Sequence, residues 1–272
     1  MLHAGQFSFA LRRPLIMGIV NVTPDSFSDA GKFLGFEHAL AHALRLRDEG
    51  ADILDVGGES TRPGAEDVSA DEELRRVLPL IERLAGEGLA VSIDTQKTQV
   101  MREAVLAGAC MVNDVNALQA LGALEAVAKT AAAVCLMHRQ GNAKTMQHDP
   151  RYDDVVSEVK AFLLSRAEAA VAAGIDRSRI VLDPGFGFGK TRTHNVSLVN
   201  ALPELAVAGF PILVGLSRKS LLGHFTGRPV DQRLAGSVAA AIIAVQKGAT
   251  IVRVHDVSAT RDALTVINAI EE

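Results

Sequence analysis

Short apolar runs alternate with amphipathic stretches along all 272 residues, with no linker, charge block or low-complexity tract between them. The apolar runs are IMGIVNV (16–22), DILDVGG (52–58), AVSIDT (90–95), CMVNDV (110–115), AVCLMH (133–138), IVLDPG (180–185), ILVGLS (212–217) and TIVRVH (250–255). Most carry apolar, often β-branched residues at consecutive positions, the pattern of strands covered on both faces. Between them, residues 36–49, 71–84, 152–173 and 231–247 space their apolar positions by three and four, which predicts helices. Gly50, Gly108, Gly174 and Gly248 stand where a glycine would end the preceding helix. Alternating β and α units predict a parallel sheet, and eight of them predict a closed (β/α)8 TIM barrel rather than an open sheet. The absence of G-x-G-x-x-G after the first strand argues further against a doubly wound dinucleotide fold. Residues 1–272 are read as one domain, with residues 1–15 covering the bottom of the barrel.

Composition narrows the picture. The length is ordinary for such a barrel. A net charge of −4 and a pI near 6.1 give no global basic field, so nucleic acid is not an expected partner. No apolar run reaches the length of about 18 residues that suggests a membrane span. Arg12 and Arg13 follow the apolar N-terminal residues instead of preceding them, which is not the order of a signal peptide. Cys110 and Cys135 fall inside apolar runs and are expected to be buried small hydrophobes. The cytoplasm is the expected location.

The strand ends carry the chemistry. Barrel enzymes collect their active sites at the C-terminal ends of the strands. There the sequence places Asn21, Asp55, Asp94, Asn113 with Asp114, His138, Asp183, Ser217-Arg218-Lys219-Ser220, Arg253 and His255. A full ring of polar groups exceeds what strand capping requires. Asp94 and Asp183 can only accept hydrogen bonds when ionised, so they suit a ligand edge rich in N–H donors, such as a 2-amino-4-oxo pterin. Their spacing suits Mg²⁺ equally well. Arg253 and His255 alternate onto one face of a strand and, with Arg62 and Lys219, would form a cationic mouth for a pyrophosphate. The stretch from Pro184 to Thr191, PGFGFGKT, ends like a phosphate-binding loop but has three residues between Gly185 and Gly189 where that motif needs four. Its glycines are expected to bring backbone and Phe188 close to a flat ligand. Met137 reads as a packing surface for a ring, and His194 as a structural helix-start residue. The segments from Asn21 to Asp29 and from Glu59 to Gly64 read as polar loops able to act as lids.

Taken together, MGIVNVTPDSFSD, DVGGESTRPGA, VSIDT, NDV, CLMHRQGN, LDPGFGFGKT with HN downstream, LVGLSRKS and VRVHDV resemble the dihydropteroate synthase family, in its order and over the chain from first strand to last. Gln96 and Asn116 are less typical of it, and neither matches a residue that the family uses for chemistry. The resemblance implies that Asp94, Asn113, Asp183 and Lys219 bind the pterin, with Arg253 stacked on its ring and Met137 lining the pocket. It implies that Asn21 is the ligand of Mg²⁺, and that Arg253 and His255 hold pyrophosphate. Thr61, Arg62, Pro63, Phe188 and Ser220, with Phe27 on the first loop, would surround p-aminobenzoate. On this reading Asp94 and Asp183 hold pterin and the metal sits with Asn21. The catalytic set would be Asp94, Lys219, Arg253 and His255, acting in an SN1-like displacement with the pterin pyrophosphate bound first. The family also implies a homodimer. A corrinoid-linked methyltetrahydrofolate methyltransferase would share the pterin set without needing the Thr61-Arg62-Pro63 and Ser217–Ser220 segments. A non-catalytic pterin-binding paralogue would be expected to lack Asn21, Arg62, Lys219 or His255, all of which are present.

Overall fold

The computed structural model describes residues 1–22, 32–60, 67–141 and 145–271. A hairpin of β1 (Leu2–Ala4) and β2 (Phe7–Phe9) comes first. The repeating units follow: β3 (Leu15–Asn21) and α1 (Lys32–Asp48), β4 (Ile53–Gly57) and α2 (Ala70–Gly86), β5 (Val91–Asp94) and α3 (Thr98–Leu106), β6 (Met111–Asp114) and α4 (Ala123–Ala128). The second half contains β7 (Ala133–Met137) and α5 (Val155–Ala172), then β8 (Ile180–Asp183) with α6 (Arg192–Asn200) and α7 (Leu202–Ala206). It ends with β9 (Leu213–Val214), α8 (Ser220–Thr226), α9 (Leu234–Gln246), β10 (Ile251–Val254) and α10 (Val257–Glu271). The sheet runs β8-β7-β6-β5-β4-β3-β10-β9, and every neighbour pair is parallel. A parallel bridge between Leu182 and Ile212, with the Leu182 N–H donating to Pro211 O at 2.9 Å, joins β8 to β9. This is the (β/α)8 barrel expected from the pattern.

The four helix-ending glycines do what their positions predicted. Each has a positive φ, between 98° and 111°. Each helix closes with paired backbone bonds, as where Gly50 N–H donates to Arg47 O and Ala51 N–H to Leu46 O, both at 2.9 Å. Gly88 ends α2 in the same way, a terminus the sequence pattern did not single out. Several elements are shorter than expected, β9 most of all. β9 covers only Leu213–Val214, because from Gly215 onward the chain leaves the ladder for a turn in which Arg218 takes a φ of 58°. α9 starts at Leu234, preceded by a short 3-10 turn over Val230–Gln232.

Strand alternation sends one set of side chains inward and the other toward the helices. The lower interior is apolar: Leu15, Met17, Ile53, Met111, Ala133, Cys135, Val181, Leu213 and Ile251 pack together with Leu2 and Ala4 of the hairpin. Residues 1–15 therefore do close the bottom, and Gly5 N–H is bonded to Ala131 O at 2.8 Å. Cys110 and Cys135 are unpaired and buried in this layer, and burial pushes the Cys110 thiol up to about 12. Among the described residues no helix is long and apolar enough to cross a membrane.

Candidate active site

At the C-terminal ends of the strands the inward positions turn polar. Asn21, Gly57, Asp94 and Asn113 are successive register partners across β3 to β6, so they form one layer of the mouth. Gly57 has no side chain to separate its neighbours; a Cβ there would lie 3.5 Å from Asp94 Cβ and 3.9 Å from Asn21 Oδ1. One layer lower, Asp55 and Ser92 are partners, and both are fully buried.

A single guanidinium holds this part together. Arg253 Nε donates to Asp55 Oδ2 at 2.6 Å, and its second terminal nitrogen to Asp94 Oδ2 at 2.7 Å. Asn113 Nδ2 also donates to Asp55 Oδ2, at 3.0 Å, which leaves the amide oxygen of Asn113 for other partners. Two buried carboxylates thus share one cation. Burial pushes Asp94 up to about 7 against the pull of Arg253, and Asp55 adds to the rise. The same carboxylates raise Arg253 above its ordinary range despite its burial. Asp55 Oδ1, Ser92 Oγ and Asp94 Oδ1 are buried without a hydrogen-bond partner among the described residues. Orphaned buried acceptors cost stability unless a ligand or water satisfies them.

Opposite, Asp183 ends β8 with burial raising its pKa and with Oδ1 accepting from Gly185 N–H at 2.7 Å. Met137, its register partner on β7, is buried at the same level. Lys219 Nζ donates to Phe186 O and lies 4.6 Å from the centre of the Phe188 ring. Burial lowers its pKa to about 8. A cavity of about 120 Å³ opens here, lined among others by Phe186, Gly187, Lys190, Leu216, Lys219 and Ser220. Asp94, Asn113, Met137, Asp183, Phe188, Lys219, Ser220, Arg253 and His255 therefore gather at this end of the barrel. Phe27, Thr61, Arg62 and Pro63 lie outside the described residues.

The structure redraws two expectations. The cationic mouth does not form as one patch among the described residues. Arg253 turns to its two carboxylates, and His255 turns to Ser217, whose hydroxyl lies 3.0 Å from Nδ1 and accepts from the backbone N–H at 3.1 Å. Arg218 is drawn away from the mouth to Asp256. The glycines of residues 185–189 serve a different close approach from the one expected: a Cβ on Gly185 would fall 1.9 Å from His138 O, and one on Gly189 2.3 Å from Gln140 O. They let this loop lie against the chain leaving β7. His194 is a helix-start residue as expected, its Nδ1 accepting from Thr191 N–H while Thr191 Oγ1 accepts from its own N–H. Asp55 stood in the ring of strand-end groups without a role. Its signal was an acid at an inward position between Ile53 and Gly57.

Comparison with known proteins agrees with this geometry. Residues 17–255 match the family model described as "Pterin binding enzyme". A dihydropteroate synthase of Neisseria meningitidis serogroup B is 53% identical over 98% of this chain and 96% of its own length. The Xanthomonas albilineans dihydropteroate synthase solved with 4-aminobenzoic acid superposes with a TM-score of 0.91 at 57% identity, covering 97% of this chain and 95% of that one. The same enzyme solved with 7,8-dihydropteroate gives a TM-score of 0.88 at 54% identity over the same shares. The chain belongs to the dihydropteroate synthase family of pterin-binding enzymes.

Proposed function

We propose that the chain joins 6-hydroxymethyl-7,8-dihydropterin pyrophosphate to p-aminobenzoate, giving 7,8-dihydropteroate and pyrophosphate. The observation that carries this reading is the layer of buried carboxylates at the mouth, above all Asp94 with one oxygen unpartnered among the described residues. Asp94 and Asp183 accept from the N–H groups of the pterin, Asn113 offers its amide oxygen, and Lys219 donates to the ring carbonyl. Met137 and the Arg253 guanidinium supply the flat surfaces against the ring. Phe188 and Ser220, with Phe27, Thr61, Arg62 and Pro63, receive p-aminobenzoate beside Lys219.

Asn21 ends β3 exposed at the mouth, and a lone amide oxygen there suits Mg²⁺, which takes few protein ligands when phosphates and waters supply the rest. When bound, the ion neutralises charge on the pyrophosphate. Asn21 would hold it, and His255 would meet the leaving group with hydrogen bonds. Aniline is a weak nucleophile, so the productive path breaks the carbon–oxygen bond early. The ionised carboxylate of Asp94 stabilises positive charge shared between the methylene and the pterin ring. The aniline nitrogen then forms the new bond and loses its proton to solvent or pyrophosphate. Pterin pyrophosphate binds first, because its groups sit on rigid strand ends.

A homodimer is part of the same proposal. α9 reads LAGSVAAAIIAVQ without a charge, yet Leu234 and Ile243 on it are about half exposed, as are Phe225 of α8 and Val230 between the two helices. An apolar face of this kind fits a second copy. Ile243→Glu should shift the sedimentation of the protein toward monomer. The cytoplasm is the proposed location. The direct test of the reaction is incubation with pterin pyrophosphate, p-aminobenzoate and Mg²⁺, with released pyrophosphate measured; no release from folded protein would reject it.

A further inference from the structure

Lys190 is buried, only 3% exposed, and although Asp183 is near enough to attract it, every hydrogen-bond acceptor around its Nζ among the described residues is neutral. Its Nζ lies 2.9 Å from His138 Nδ1, 2.9 Å from Gly185 O, 3.1 Å from Phe188 O and 3.3 Å from His138 O. Three N–H protons thus face four neutral acceptors. Burial lowers the lysine to about 7, and burial together with the nearby ammonium lowers His138 to about 3. The imidazole is therefore neutral, and in its Nε2–H tautomer Nδ1 accepts from the ammonium. A cage of three carbonyls and one imidazole is costly for an ammonium to occupy, and such a cost calls for a use.

The use lies in what the cage holds. Two of its carbonyls belong to Gly185 and Phe188, the ends of a turn whose middle residue Gly187 has a φ of 82°. The other two acceptors belong to His138, immediately after β7. The ammonium fastens the turn to that strand end. The turn in its place supplies Phe186 O to Lys219 Nζ and sets the Phe188 ring 4.6 Å from it. Asn195 adds a second tie, accepting from Gly187 N–H at 2.8 Å and donating to Lys190 O at 3.3 Å.

We propose that Lys190 is a positioning residue for the reaction: its ammonium clamps the turn from Gly185 to Phe188 to the end of β7, and so fixes where the Phe188 ring meets the aminobenzoate. This rests on the function proposed above. A lysine that merely supported the fold would lower stability on removal without moving KM for one substrate more than for the other.

The test is steady-state kinetics of Lys190→Ala in the full chain with both substrates and Mg²⁺, with and without methylammonium, a small cation able to enter the cage. KM for p-aminobenzoate should rise by about tenfold or more, as loss of charge-assisted bonds at this site implies, while KM for pterin pyrophosphate moves less. Methylammonium, but not tetramethylammonium at equal ionic strength, should restore it. An unmoved KM for p-aminobenzoate, equal rises for both substrates, or no rescue would overturn the proposal. If the alanine variant is unfolded, Lys190→Met, which keeps the length of the chain without its charge, replaces it. The same rise in KM is expected there, and its absence is decisive. The unaltered protein serves as reference: if it releases no pyrophosphate the proposed function fails, whereas an active reference beside an unmoved variant rejects only the role of Lys190.

Discussion

The two halves of the barrel interior are built on opposite terms. Below, Leu2, Met17, Ile53, Met111 and Ile251 fill the space with side chains at 0% exposure and nothing polar between them. Above, Asp55, Ser92, Asp94, Asn113 and Asp183 occupy inward positions nearer the C-terminal ends of the barrel strands, with three oxygens left without partners among the described residues. The change happens within two residues of strand: Ile53 to Asp55 on β4, Met111 to Asn113 on β6, Val181 to Asp183 on β8. The lower half stabilises the fold, and the upper half gives up stability for groups that a ligand can satisfy. One barrel can host both because its ladder bonds do not depend on what fills the interior.

Substitutions in the two halves should therefore separate stability from binding. The largest effect belongs below: Leu2→Ala should cost about 2–5 kcal/mol of unfolding free energy, by lost burial and the cavity left behind. Pterin affinity of the protein that remains folded should be unchanged, as denaturant titration and calorimetry would show together. Next comes Asp94→Asn, which presents amide donors to ligand donors and should lower pterin affinity by about 1.5–3 kcal/mol, roughly 10- to 150-fold. Calorimetry checks it, and unchanged affinity in folded protein would remove Asp94 from the site.

The pH profile follows. The useful form of Asp94 is the ionised acceptor, present above about 7, and that of Lys219 is the protonated donor, present below about 8. kcat/KM for pterin pyrophosphate should therefore pass through a maximum between the two. It should fall about tenfold for each further unit on the acid side as Asp94 takes up its proton, and similarly on the basic side as Lys219 loses its own. Asp94→Asn should abolish the acid limb. The smallest effect is that of His255→Ala. It should weaken pyrophosphate binding by about 1 kcal/mol, roughly fivefold, and leave binding of a pterin without phosphates alone. Equal losses for both ligands would make His255 structural.

Much of this is legible in the sequence. The runs of consecutive apolar residues located all eight barrel strands because parallel strands are buried on both faces. The polar residues that end those runs located the mouth. What the sequence could not supply was pairing across distance. Arg253 read as part of an anion site because its strand neighbours are visible in sequence. Its actual partners, Asp55 and Asp94, lie 198 and 159 positions away. The role of Gly185 and Gly189 was hidden for the same reason, since the backbone they approach belongs to His138 and Gln140. Lys190 looked like the tail of an incomplete phosphate loop. Only the fold reveals it inside a cage of carbonyls.

The division between the halves is tested most directly by thermal unfolding of the unaltered protein and of Asp94→Asn, each with and without a saturating pterin. Asp94 shares one guanidinium with Asp55, so removing its charge relieves a buried excess of negative charge. Without ligand, the variant should unfold at the same temperature as the unaltered protein or at a higher one. With pterin bound, the order should reverse, because the ligand stabilises in proportion to its affinity. A variant less stable than the unaltered protein in the absence of ligand would contradict the account, since Asp94 would then be holding the fold together instead of waiting for the pterin.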